Sequence, residues 1–285
     1  MSDILLRTGS LRFGYPQRSG LFSKPSLREV IKGVDLAVPR GSVLGLVGES
    51  GSGKTTLGRL LVRLLQPTSG GIQFDGVEIG GLSDAGMRPL RARIQMIFQD
   101  PQSSLNPRLR LGTTLTRPLG AYGRLKGKRD QRERAAALLN LVGLPAEFAD
   151  RYPNELSGGQ RQRAGIARAL ALEPDFIVAD EIVSGLDVST QAHILLLLKE
   201  LRARLGLTMV FISHDLSLVR VLCDDVAILY QGEVVEYGPV ARVFSTPQHA
   251  YTRQLLAAIP LPDVEPGWLD DSPPLATSQQ QGSAA

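Results

Sequence analysis

One stretch constrains this 285-residue chain more than any other: Gly48-Glu49-Ser50-Gly51-Ser52-Gly53-Lys54-Thr55. It follows an apolar run from Ser42 to Val47 that reads as a buried strand. It precedes Leu57, Leu60, Leu61, Leu64 and Leu65, which share one stripe of a helix that Pro67 is predicted to end. Strand, glycine-rich turn and helix in this order match the phosphate-binding loop pattern. Glycines let successive backbone N–H groups converge on phosphate oxygens, and the helix N-terminus adds positive potential. Residues from Gly48 to Thr56 are therefore the expected nucleotide cradle. Lys54 is placed to reach the β- and γ-phosphates and the Thr55 hydroxyl to ligate Mg²⁺.

A second element fits the first. Phe176-Ile177-Val178-Ala179 is an apolar strand that runs into Asp180 and Glu181. The chain from about residue 157 alternates helix and strand, with strands expected at 208–212 and 226–229 and helices after Ser157, from His193 to Leu205 and after Asp215. Such alternation argues for an α/β fold with a largely parallel sheet covered on both faces. Ligands of such sheets lie beyond the carboxyl ends of the strands, which points both acids at the phosphates. Asp180 is then expected to hold Mg²⁺ through water, and Glu181 to polarise an attacking water as general base. Earlier, Gly71 to Ile79 and Ile94 to Phe98 read as β runs, and residues 108–154 as mainly helical.

Composition removes several alternatives. Hydrophobic residues make up 43% and charged residues 21%, the balance of a globular chain rather than a disordered one. One cysteine, Cys223, excludes a disulfide framework and a Cys-ligated metal cluster held by this chain alone, and is read as a small buried side chain. The N-terminus has no secretory apolar core, and no window is apolar enough to cross a bilayer. Work at a membrane would require docking on something that spans it. The formal net charge is +4, but the acidic stretch after residue 260 masks +8 in the remainder. Seven basic residues between Arg117 and Arg134 attract phosphate in principle. With only Tyr122 interleaved among them, a solvated helical face is the better reading. His193 is read as a surface or packing residue, and the Pro-, Ser- and Gln-rich end as a disordered tail.

Many nucleotide-binding chains share the two elements above; a third narrows the field. Leu156-Ser157-Gly158-Gly159-Gln160 opens the helix before the carboxylate strand, with Ser157 as a good N-cap and glycines that permit close backbone approach. It is a second helix terminus suited to an anion. The pentapeptide resembles the signature of the ABC ATPase family. Around it stand Gln99 in Phe98-Gln99-Asp100-Pro101 (Q-loop), Ser184-Gly185-Leu186-Asp187 (D-loop) and His214 in Ile212-Ser213-His214-Asp215 (switch histidine), while Tyr15 is similar in position to the aromatic that stacks on adenine. The match covers about Leu5 to Gln231.

The resemblance implies an ABC-type P-loop NTPase domain: a mostly parallel core sheet, an antiparallel β subdomain and a helical signature subdomain at about 100–165. The cassette would span 1–245, with a C-terminal extension at 246–266 and the tail at 267–285. It further implies that two ATP molecules are clamped between two ATPase subunits, so that Ser157, Gly158, Gly159 and Gln160 would face ATP held by the partner. His214 would contact the γ-phosphate and orient Glu181 and the water. Gln99 would sense Mg²⁺ and connect to a membrane subunit, and Asp187 would cross to the partner.

Three stretches resemble the oligopeptide, dipeptide and nickel importer branch. They are the excursion through Gly20-Leu21-Phe22, the continuation Asp100-Pro101-Gln102-Ser103-Ser104-Leu105-Asn106-Pro107-Arg108, and Thr246-Pro247-Gln248-His249-Ala250-Tyr251-Thr252 leading to Leu256. The implied role is an ATP-hydrolysing subunit at the cytoplasmic face of the inner membrane, the second type of an unlike ATPase pair. Its partners would be two permease subunits and an extracytoplasmic solute-binding protein; the solute could be peptide, nickel or another small molecule. Ile182 and Gly185 depart from the family, which usually has proline and alanine there. The rival class is a soluble ABC ATPase acting on nucleic acid or ribosomes. Such relatives commonly carry two ATPase units or inserted arms, which this sequence lacks, so no nucleic-acid partner is expected.

Overall fold

A computed structural model describes residues 3–17, 26–100 and 104–258. The excursion through Gly20-Leu21-Phe22, residues 101–103, and the end of the extension together with the tail (259–285) lie outside the described residues. The core is a six-stranded sheet in the order β10-β9-β3-β8-β7-β6. Its strands are β3 (Val43–Val47), β6 (Ile94–Ile97), β7 (Phe176–Asp180), β8 (Thr208–Ile212), β9 (Asp225–Tyr230) and β10 (Glu233–Pro239). All neighbours pair in parallel except β10, which runs antiparallel to β9.

Alternation along each strand sends successive side chains to opposite faces, and both faces are buried. Val43, Val47, Ile177, Ala179, Met209 and Phe211 pack with leucines of helices α5 (Gly158–Leu170) and α6 (Val188–Leu205). Leu44, Leu46, Phe176, Val178, Val210 and Ile212 pack with Leu57 and Leu60 of α1 (Lys54–Leu61) and with the second sheet. That sheet is antiparallel, in the order β2-β1-β4-β5, from β1 (Ile4–Gln17), β2 (Ser26–Pro39), β4 (Ser69–Phe74) and β5 (Val77–Glu78). Asp75 and Gly76, both at positive φ, make the two-residue turn between β4 and β5 that an Asp-Gly pair favours. An ion-pair chain, Asp3–Arg40–Asp75–Arg93–Asp175, ties this sheet to the starts of β6 and β7.

The expected strands and helices of the core are present. Two boundaries are corrected: α6 starts at Val188, where Asp187 caps it, not at His193, and α1 stops at Leu61, not at Pro67. Arg63 takes a left-handed φ of 55° and buries its guanidinium on the carbonyls of Ile79, Leu65 and Leu82. That turns the stripe off the core, and Leu64 is exposed. The long β1–β2 pair has no clean period-two signal, because register shifts interrupt it at four places.

Between β6 and α5 lie α3 (Leu111–Ala121), α4 (Lys128–Leu141) and two short 3-10 turns, with α2 (Asp84–Arg91) before β6. All seven basic residues from Arg117 to Arg134 are exposed there, as the solvated-face reading expects. The chain continues through α7 (Leu216–Leu222), α8 (Val240–Ser245) and α9 (Ala250–Ala258). Among the described residues no helix is long and apolar enough to cross a membrane.

Candidate functional site

Four loops leave the carboxyl ends of adjacent parallel strands. The glycine-rich loop follows β3, Gln99 follows β6, Glu181 follows β7 and His214 follows β8. The strand order places β8 between the cradle strand and the carboxylate strand, with β6 on the far side of β7. This is the crevice where doubly wound sheets bind ligands.

The cradle is built by backbone conformations that a side chain would resist. Gly48, Gly51 and Gly53 all have positive φ, and a Cβ on Gly48 would collide with the Leu229 carbonyl oxygen. Lys54 is buried, and its Nζ donates to the carbonyls of Gly48 at 2.7 Å and Glu49 at 2.9 Å. Burial lowers its pKa, while the nearby charges of Glu181, Asp180 and Glu49 oppose that. The Ser52 Oγ is buried in the loop without a protein partner among the described residues, a polar atom aimed at nothing the chain itself supplies. Exposed Glu49 and Ser50 line the outer part of the loop, and Thr56 is half-buried in the first turn of α1.

Asp180 is buried at the end of β7, and its Oδ1 accepts a hydrogen bond from Thr55 Oγ1 at 3.1 Å. Burial raises its pKa and the Thr55 bond pulls the other way. Glu181 takes a left-handed φ of 46°, a conformation that costs a non-glycine residue about 1–3 kcal/mol and tends to mark functional sites. Its N–H is held by the Ile212 carbonyl of β8 at 3.0 Å. Its carboxylate accepts from Gln99 Nε2 at 2.9 Å and lies 3.7 Å from His214 Nδ1. Thus Lys54, Thr55, Asp180, Glu181, Gln99 and His214 come together.

The remaining expected site residues stand elsewhere. Ser157 is the N-cap of α5: its Oγ accepts from Gln160 N–H at 3.3 Å, and Gln160 Oε1 accepts from Ser157 N–H at 3.0 Å. Gly158 and Gly159 lie against Leu186 and Thr190, so the signature and the D-loop form one surface. No hydrogen bond or ion pair among the described residues joins that surface to this chain's own cradle. Asp187 caps α6, accepting from Ser189 Oγ, Thr190 N–H and Thr190 Oγ1 at 2.7, 2.9 and 2.8 Å. Gly185 has a φ of +75°, a left-handed conformation that glycine adopts without strain. Ile182 is simply buried. Tyr15 is partly exposed near the end of β1, edge-on to Phe13, and pairs in register with Arg28 two residues before Val30, whose backbone adjoins Gly53. His193 is exposed and Cys223 is buried.

One contact escapes the sequence entirely: Tyr251 of α9 accepts a hydrogen bond from Glu49 N–H at 2.9 Å, across 202 residues of chain.

A glycine cradle, a buried lysine, a hydroxyl beside a buried carboxylate and a strained glutamate define a P-loop nucleoside triphosphatase. Comparison with known proteins narrows this further. The model of the family described as ABC transporter matches residues 31–184. The "Putative peptide import ATP-binding protein" of Brucella ovis is 53% identical over 235 residues, covering 82% of this chain and 74% of that protein. The "Probable peptide ABC transporter ATP-binding protein" of Sinorhizobium fredii is 50% identical over 265 residues, covering 92% and 74%. The dimeric post-hydrolysis structure of the ATP-binding cassette MJ0796 bound to ADP and Pi superposes with a TM-score of 0.72 at 30% identity, covering 82% of this chain and 98% of that one. The structure of cbiO1 from Clostridium perfringens, part of the transporter complex cbiONQ, gives 0.73 at 30% identity, covering 86% and 92%. The chain belongs to the ABC transporter family, and it is an ATP-binding cassette ATPase.

Proposed function

We propose that this chain energises a peptide importer by hydrolysing ATP at sites it shares with a second ATPase subunit. The observation that carries the reading is the convergence of Lys54, Asp180, Glu181, Gln99 and His214 beyond the carboxyl ends of four parallel strands. The names of the Brucella and Sinorhizobium relatives support peptide as the solute.

Each residue has a role its position permits. Within the cradle from Gly48 to Thr56, the amides other than those of Glu49 and Ser52, which the chain itself engages, and the Lys54 ammonium hold the phosphates, and Tyr15 stacks on adenine. Among the described residues no cluster of three His, Cys, Asp or Glu could hold a metal by itself. Mg²⁺, however, is commonly bound by phosphate oxygens with one or two protein oxygens. The Thr55 hydroxyl next to the Asp180 carboxylate fits that chemistry. Thr55, Gln99 and, through water, Asp180 would hold the ion, which supplies charge neutralisation on the phosphates.

Glu181 takes the proton from a water whose oxygen bonds to the γ-phosphorus, while the bond from that phosphorus to the β,γ-bridging oxygen breaks and ADP leaves with the electron pair. His214 and Gln99 hold the Glu181 carboxylate from two sides. The capped end of α5, from Ser157 to Gln160, faces the partner subunit's ATP, and Asp187 lies at the seam. Residues 1–245 form the cassette, with about 100–165 as its helical part; 246–266 form the extension and 267–285 a tail. Two permease subunits seat the ATPase pair at the cytoplasmic face of the membrane, and an extracytoplasmic binding protein delivers the peptide.

The test is reconstitution in vesicles with the neighbouring permease, ATPase and binding-protein subunits. ATP hydrolysis and peptide accumulation are expected together, and Glu181→Gln should abolish both. Hydrolysis stimulated by another solute but not by peptide would refute the cargo assignment.

A further inference from the structure

The hydrogen bond from Glu49 N–H to Tyr251 ends a continuous chain of contacts. Tyr251 is only 6% exposed, and its ring lies over Tyr230 with centroids 4.2 Å apart and planes inclined by 34°. Tyr230 closes β9, beside the Leu229 carbonyl that crowds Gly48. On the other side of the same residue, the Glu49 carbonyl accepts from Lys54 Nζ at 2.9 Å and from Ser52 N–H at 3.2 Å. The Glu49 backbone is therefore tied at its donor by the C-terminal helix and at its acceptor by the cradle lysine. Burial pushes the Tyr251 phenol above its ordinary pKa, which keeps it a neutral hydroxyl.

The start of α9 is itself pinned. Glu236 of β10 accepts from Gln248 N–H through Oε1 at 2.9 Å and from His249 N–H through Oε2 at 3.1 Å. His249 Nδ1 accepts from Tyr251 N–H at 3.2 Å, and the Arg253 guanidinium donates to the carbonyls of Pro247 and Gln248. An orphan helix start that could have been left to water is instead gripped by a neighbouring strand. The geometry fixes where Tyr251 stands, and so where its hydroxyl meets the loop.

We propose that Tyr251 is a positioning residue of the phosphate cradle: its hydroxyl fixes the Glu49 peptide, and residues 246–258, anchored on Glu236, act as a clasp that sets the affinity for nucleotide. This rests on the ATPase reading of the cradle. A preorganised loop binds without first ordering itself, so loosening one end should raise KM more than it lowers kcat.

Tyr251→Phe keeps the ring over Tyr230 and removes only the acceptor. In the full complex it should raise the KM for ATP about three- to tenfold, the range expected for one net hydrogen bond, with a smaller change in kcat. Tyr251→Ala removes the ring as well and should add a fall in Tm. Glu236→Gln should raise KM in the same direction, and the Glu236→Gln/Tyr251→Phe double variant should show no more than the larger single effect, because both act through one contact. A wild-type KM in Tyr251→Phe would overturn the proposal, whatever the alanine variant does. Additive effects in the double variant would overturn the clasp. A wild-type complex that hydrolyses no ATP would instead sink the ATPase reading.

Discussion

Two helix N-termini in this chain answer the same physical demand in opposite ways. The first four amides of any helix lack internal acceptors and must find them elsewhere. At α1 the cap is Gly53, at a φ of 108°, with no side-chain cap hydrogen bond and a buried lysine as the next residue. At α5 the cap is Ser157, with an ordinary extended backbone and a reciprocal bond with Gln160 that satisfies the Ser157 and Gln160 amides from within the chain. The first end is shaped for an anion from outside, at the cost of three glycines at positive φ. The second is partly satisfied by its own side chains, and the Ser157 hydroxyl, which accepts from Gln160 N–H, keeps its own proton to donate. One chain thus carries a cradle with its own carboxylates and, separately, a gripping surface that meets Glu181 through the D-loop, where Ser184 N–H donates to the Glu181 carbonyl at 3.0 Å.

The largest test of that division is Glu181→Gln, which should cut turnover about a hundredfold or more, as loss of a general base does, while ATP binding persists. Equal turnover would mean that the left-handed strain at this position serves something other than hydrolysis. Next comes Lys54→Ala, which removes charge-assisted bonds and should weaken ATP binding to the purified chain by about ten- to a hundredfold, measured by calorimetry. Ser157→Ala should do the reverse of Lys54→Ala in the same assay. It should leave the affinity of the lone chain within about twofold, yet lower turnover of the assembled pair, because a cap is worth only about 1 kcal/mol and the role proposed for the hydroxyl is at the other subunit's nucleotide. If Ser157→Ala weakened the lone chain as much as Lys54→Ala did, the two ends would belong to one site and the contrast would collapse.

The two termini also differ in how far they could be read in advance. The cradle is local: strand, glycines, lysine and hydroxyl occupy adjacent positions, so sequence spacing nearly determines geometry. The same holds for Asp180 and Glu181, because a buried run of four apolar residues delivers the next two to a strand end. Gln99 and His214 carry no such local reason. They are recognisable through family resemblance, and their meeting on Glu181 depends on the order β8-β7-β6, which no single segment encodes. Arg63, which ends α1 early, and Tyr251, which reaches Glu49, act through contacts with distant backbone. A hydrogen bond to a peptide group has no preferred partner type, so neither leaves a pattern in the sequence. The β1–β2 pair is hidden for a different reason: its bulges break the alternation that marks a strand.

The smallest expected effect lies at the seam between the two regions. Asp187 would cross to a partner subunit, yet its carboxylate already accepts from Ser189 Oγ, Thr190 N–H and Thr190 Oγ1. These bonds, Ser189 first, hold its pKa at about 2. A carboxylate lowered in the folded state lends stability above its unfolded value of about 3.9, and that contribution is lost as pH falls through the folded value. In the folded chain the Asp187 carboxyl resonance should therefore stay unchanged as pH is lowered through 4. Asp187→Ala should lower Tm slightly at pH 7, with the difference shrinking in more acidic buffer. Because the side chain is exposed, solvent screening keeps the effect small. A midpoint near the ordinary value would show the cap open in solution and the carboxylate already available to the second subunit. Closure of the pair would then not have to break it, and the gripping surface would be less self-sufficient than the bonds within α6 imply.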